Sequence, residues 1–175
     1  MQVSPAHWHL LFNHFPIILV MTGALFLIIG LILKKDHIKS TALLIVILSG
    51  LTAMLANATG EGAEEQVEGI PGVSSSAIEV HEDAAGTGLT IILITGAIAL
   101  ISAFVFHKNK KTGHVFVLIT LVGALASSAF MGYVGLTGGE IRHSEIRGDF
   151  GRSTAADTGG NTIFQGEGSE EEHEE

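Results

Sequence analysis

The sequence predicts an all-α fold, a polytopic membrane four-helix bundle with both chain ends on the non-cytoplasmic side. Three observations predict it. Four apolar stretches, at residues 10–33, 40–58, 86–106 and 114–134, carry no Asp, Glu, Lys or Arg. Each approaches the roughly 20 residues a crossing requires. All the lysines lie in two of the connections, Lys34, Lys35 and Lys39 in one and Lys108, Lys110 and Lys111 in the other. Finally, 15% of the 175 residues are charged and the mean hydropathy is +0.47, outside the range of an ordinary soluble domain.

Taken in order, residues 10–33 are apolar apart from Asn13, His14 and Thr22 and form the first span. Residues 40–58, 86–106 and 114–134 form the second, third and fourth. Backbone groups inside lipid must bond within their own segment, so the spans are helices. Loops bearing lysine stay in the cytoplasm, which places the first and third connections inside. The middle connection, 59–85, carries Glu61, Glu64, Glu65, Glu68, Glu79 and Glu82 without Lys or Arg and is expected outside, with both termini. Within it Ile70-Pro71-Gly72 reads as a turn, and Ser76 with Glu79 as a capping box, so the third helix begins before the membrane.

Small residues at helical spacing, Gly96, Ala99 and Ala103 in the third span and Ala124, Ser128 and Gly132 in the fourth, predict close helix packing. Residues 1–147 make one membrane domain. The acidic tail, 148–175, has too little apolar surface to offset its ordering entropy and is expected to be disordered. The first ten residues lack the basic region of a secretory signal, and Ala56-Asn57-Ala58, which imitates a cleavage site, follows a complete span. No cleaved signal is expected.

Composition narrows the chemistry. With no cysteine there is no disulfide, iron–sulfur ligand set, thiolate copper site or covalent haem attachment. A metal or haem must be held by His, Met or carboxylate. The net charge of -9 comes from solvated acidic connections and the tail, so it implies no basic partner. Phosphate-binding glycine loops, nucleic-acid patches and a nucleophile elbow are absent from the sequence.

On this topology the histidines separate by side. His37, His107 and His114 fall beside lysines at the cytoplasmic end and read as solvated interfacial residues. His7, His9, His14, His81 and His143 fall at the outer end. His14, a turn inside an apolar span and two residues before Pro16, is expected to face an interior site. Polar groups from all four helices gather at this end: His9 and His14, then Asn57, Glu61 and Glu64, then His81 and Glu82, then His143. Gly50, Ala53, Asn57, Glu61 and Glu64 follow spacings of three and four and read as one inward stripe.

Imidazoles from two helices can ligate haem iron axially, and small residues beneath them admit a porphyrin. The expected haem b ligands are His14 and His81, with His143 or His9 as alternates. The same histidines with Glu61, Glu64 or Glu82 suit Zn, Fe or Cu without a porphyrin. Asn57 and Pro16 are expected to support the site by packing. Carboxylates beside the histidines suit acceptance of protons from a quinol. A third reading makes the chain a structural or assembly subunit whose polar end packs on a partner.

The run His9-Leu-Leu-Phe-Asn-His14-Phe15-Pro16-Ile17, the small-residue end of the second span, His81 and Gly138-Gly139 together resemble the bacterial DUF2231-type membrane proteins. The resemblance covers about residues 6–143. The usual His-Pro start appears here as His9-Leu10. Members are similar to domains joined to Rieske or cytochrome c modules, which implies electron transfer with a quinone or a redox partner protein. With the lysines inside, a bacterial inner membrane is expected, with the histidine site facing the periplasm or exterior.

Overall fold

The computed structural model describes residues 3–147, and the tail expected to be disordered lies outside the described residues. Its helices are α1 (Pro5–Phe12), α2 (His14–Ile32), α3 (Asp36–Val67), α4 (Ser75–Lys108) and α5 (Lys110–Glu140), followed by a 3-10 turn at Ser144–Ile146. Four segments are long and apolar enough to cross a membrane: α1 with α2, then α3, α4 and α5.

The break between α1 and α2 follows from Pro16. Proline has no N–H, and its ring crowds the carbonyl four residues back, here that of Phe12. The ladder therefore stops at Phe12 and restarts at His14. At the other end of α1 the Ser4 hydroxyl accepts from the His7 amide at 3.4 Å, an ordinary N-cap.

The spans form a ring in chain order: α2 packs on α3 and α5, and α4 packs on the same two helices. That makes α3 and α5 diagonal partners, while α1 lies against α3. The buried residues of α5 are Gly113, Val117, Thr120, Ala124, Ser127, Met131, Val134 and Thr137, at intervals of four and three. On α3 the run is Lys39, Ala42, Val46, Ser49, Ala53 and Ala56, and on α2 it is Pro16, Val20, Gly23, Leu27 and Gly30. A period near 3.5 keeps one narrow seam facing inward along the whole helix. Leu25, Ile32, Leu44, Phe104 and Val122 are exposed on the outer faces, as lipid-facing residues are.

Inside lipid the apolar faces gain little from meeting each other, so close packing and hydrogen bonds hold the helices. A Cβ on Gly96 would lie 3.9 Å from the Cα of Gly50, so α3 and α4 meet almost backbone to backbone. Between α4 and α5, the hydroxyls of Thr95 and Ser127 lie 2.8 Å apart and those of Ser102 and Thr120 lie 2.6 Å apart. Of the small residues expected at interfaces, Gly96, Ala99 and Ala124 are buried. Ala103 and Ser128 are half-buried, and a Cβ on Gly132 would meet nothing within 4 Å. Gly132 lies five residues from Ser127 and two from Val134, off the buried seam.

The connections are shorter than the sequence suggested. The expected 59–85 loop is mostly helix, because α3 continues to Val67 and α4 starts at Ser75. Only residues 68–74 remain, turning at Gly69 and Gly72 with φ of 78° and 86°, where glycine is favoured. Ser74 rather than Ser76 caps α4, accepting from the Ala77 amide at 3.2 Å. Arg142 donates to the Pro71 carbonyl at 2.7 Å, and Arg147 donates to Glu140, Ile141 and Gly72 carbonyls, so the segment after α5 clasps this turn. Both ends of the described chain and the α3–α4 turn thus share one end of the bundle, the histidine end. The α2–α3 and α4–α5 junctions share the other, the lysine end.

Candidate functional site

At the histidine end, two imidazoles are held by the same device. His9 on α1 donates through Nδ1 to the Ala56 carbonyl of α3 at 3.0 Å, with the Thr59 hydroxyl at 3.3 Å. His81 on α4 has Nδ1 at 3.1 Å from the hydroxyl of Thr137 on α5. The one hydroxyl proton of Thr137 goes to the Val134 carbonyl at 2.9 Å, so Thr137 accepts and His81 Nδ1 carries the proton. In the neutral form of each ring Nε2 is therefore the nitrogen left without a proton. Among the described residues neither Nε2 has a hydrogen-bond partner. Burial first, and His9 second, hold His81 below the ordinary imidazole value.

Glycines make room for both rings. A Cβ on Gly138 would lie 3.1 Å from Cε1 of His81, and one on Gly60 would lie 3.8 Å from Cε1 of His9. Asn13, four residues after His9, shares its helix face. Its Oδ1 is buried and has no partner among the described residues. That unsatisfied acceptor belongs to the same corner of the fold as the imidazoles.

Beyond the apolar stretches, the carboxyls of Glu64 on α3 and Glu82 on α4 come within hydrogen-bonding reach. This holds Glu64 above the ordinary carboxylate range, first through the hydrogen bond to Glu82, then through partial desolvation and the repulsion of the second charge.

Other expected ligands lie elsewhere. His14 is exposed. It stands two residues from buried Pro16, about 200° around the helix, so it points away from the bundle. His143 is exposed and bonds Glu145 at 2.8 Å. Glu145 in turn is held below its ordinary value by its own backbone amide first and His143 second. Asn57 and Glu61 are exposed because the inward stripe of α3 runs through Ala53, Ala56, Gly60 and Ala63 instead. Pro16 is fully buried on α2. Among the described residues no three His, Asp or Glu side chains gather in a group able to hold a metal ion. The chain matches no family model, no curated protein and no solved structure.

A second polar cluster, at the lysine end, was not expected. Lys39 is 1% exposed. Its Nζ bonds Asp36 at 2.8 Å and His114 Nε2 at 2.8 Å, and lies 5.2 Å from the centre of the Phe106 ring. His114 Nδ1 donates to the Lys110 carbonyl, which leaves Nε2 as the acceptor from Lys39. Lys110 sits 3.8 Å from the same Phe106 ring and 3.6 Å from Asp36. Gly30 of α2 leaves the space, since a Cβ there would stand 2.8 Å from Lys39 Cγ. His37 and His107 are exposed, as interfacial residues are.

Proposed function

We propose that the chain is an integral membrane redox subunit that holds a haem b between His9 and His81 at the histidine end. One observation supports this above the others: both rings are fixed through Nδ1 and offer a free Nε2. Metal-ligating histidines characteristically have this arrangement, with the second nitrogen fixing ring orientation and tautomer. Two imidazoles would suffice as protein ligands to a haem, whereas a porphyrin-free ion usually takes three or four protein donors. Bound haem would supply one-electron transfer. The chain itself orients the ligands, through Ala56, Thr59 and Thr137, and Glu64 with Glu82 stands ready to take up protons released by a quinol or a comparable donor.

In this reading the lysine end faces the cytoplasm and the histidine end faces the periplasm of a bacterial inner membrane, with a quinone or a redox protein as partner. The resemblance of the His9–Ile17 run to DUF2231-type proteins would imply such a role. Titration of the detergent-purified chain with haem tests it. A low-spin b-type spectrum should form in the parent and in His14→Ala, and should be lost in His9→Ala and His81→Ala. Loss in His14→Ala alone would overturn the assignment.

A second reading rests on the same bonds. His9 ties α1 to α3 and His81 ties α4 to α5, so both rings also serve as structural tethers. A chain that takes up no haem and melts lower in both variants supports that reading. Stoichiometric zinc, copper or iron lost in both variants would make the protein a metal-handling one.

A further inference from the structure

The Lys39 cluster lies at the opposite end from the proposed haem ligands and takes no part in that reading. It joins helices that otherwise hardly meet. In the ring of four spans α3 and α5 are diagonal, and at the lysine end Lys39 and Asp36 of α3 bond His114 and Lys110 of α5 across that diagonal. Phe106 of α4 covers the cations, and Gly30 of α2 lets the Lys39 stem pass. All four spans therefore contribute to one contact.

Its proton count is fixed by its geometry. With His114 Nδ1–H committed to the Lys110 carbonyl, Nε2 must be unprotonated to accept from Lys39. A second proton on the imidazole would put N–H against the ammonium N–H at the present 2.8 Å separation. Two like charges at that distance repel, and neither has an acceptor for the facing proton. Asp36 lies within 2.8 Å of Lys39 and 3.6 Å of Lys110, so its single negative charge already serves two cations. The remaining titratable groups of this end, Lys34, Lys35, His37, His107, Lys108 and Lys111, are exposed.

We propose that Lys39 and His114 form a pH-sensitive latch, closed while the pair holds one proton and released when acidification adds a second. Release separates α3 from α5 at the lysine end and leaves the histidine end in place. Histidine is the side chain whose charge ordinarily changes within about pH 5–8, the range a compartment can reach.

The full chain has no cysteine, so a spin-label pair can be added at exposed Ser40 of α3 and Lys111 of α5, as Ser40→Cys with Lys111→Cys, in lipid nanodiscs. Pulsed dipolar distances at about pH 8 and about pH 5 read the latch. The expected result is a longer component at acid pH, displaced on the order of 2 Å or more. It should vanish in His114→Phe, which cannot take the proton, and in Lys39→Met, which removes the opposing charge but keeps the stem. Should His114→Phe fail to fold, Lys39→Met decides alone. An unchanged distance in the parent, or an acid response that survives in Lys39→Met, overturns the proposal.

Discussion

Replacing Lys39 by alanine and by methionine separates what its stem contributes from what its charge contributes. Alanine removes three methylenes and the ammonium from a site that is 1% exposed. At about 0.8 kcal/mol per methylene taken out of water, the stem is worth at most roughly 2.4 kcal/mol, since apolar surroundings of the unfolded chain reduce that gain. Stranding His114 Nε2 costs about 1 kcal/mol more. Asp36 is 48% exposed and keeps Lys110 at 3.6 Å, so it rehydrates and escapes most of the penalty of an orphaned buried charge. Lys39→Ala should therefore destabilise by at most about 3 kcal/mol. Methionine keeps a straight stem of similar length, so Lys39→Met should cost about 1 kcal/mol, mainly the stranded imidazole. SDS-driven unfolding in mixed micelles, followed by loss of helix, gives both values. A Lys39→Ala effect within about 0.5 kcal/mol of the parent would mean the side chain is solvated, as surface positions are. Equal losses in the two variants would assign the stability to the charge and refute the division drawn here.

Gly113→Ala places a Cβ 2.3 Å from the Cα of Phe106, a backbone atom that cannot move alone, so α4 and α5 must part. Such overpacking costs about 1–3 kcal/mol and should lower the thermal midpoint, whereas Gly132→Ala, with nothing within 4 Å, should be neutral or stabilising. Thr137→Val removes the acceptor that fixes His81 Nδ1–H, and should weaken haem uptake about 10- to 100-fold, read by haem titration, without unfolding the bundle. Because Glu82 raises Glu64, the carboxyl contact is strongest below the ordinary carboxylate range and is lost as pH rises through the raised value. Glu82→Gln should remove the like charge and bring the Glu64 titration down, as followed by NMR of carboxyl-labelled glutamate.

The spans were legible because lipid imposes a length and an absence of charge that few other structures share. The helix ends were not, since residues 59–67 and 75–85 are polar yet remain helical, and polarity marks where lipid stops rather than where a helix stops. For the site, the decisive signal was the buried period and not the polarity of single residues. Read backward along α3, the stripe Ala53, Ser49, Val46 and Ala42 reaches Lys39. Read forward it reaches Ala56, Gly60 and Ala63, leaving Asn57 and Glu61 outside. The α2 stripe Leu27, Gly23, Val20 and Pro16 leads back to Asn13 and His9, and passes His14 by. Lysines at one end of the spans read as a topology signal, which conceals that Lys39 is buried. The Thr137 and Ala56 acceptors carry no sequence signal, because any hydroxyl or carbonyl at that depth would look the same.

We propose that His9 and His81 hold a haem b. The absorption spectrum of the detergent-purified full chain, oxidised and dithionite-reduced, with haem and metal content measured on the same sample, checks this. A reduced b-type band is expected at one haem per chain, absent when either histidine is replaced. A sample with no Soret band, even after haem is supplied during expression, would contradict it.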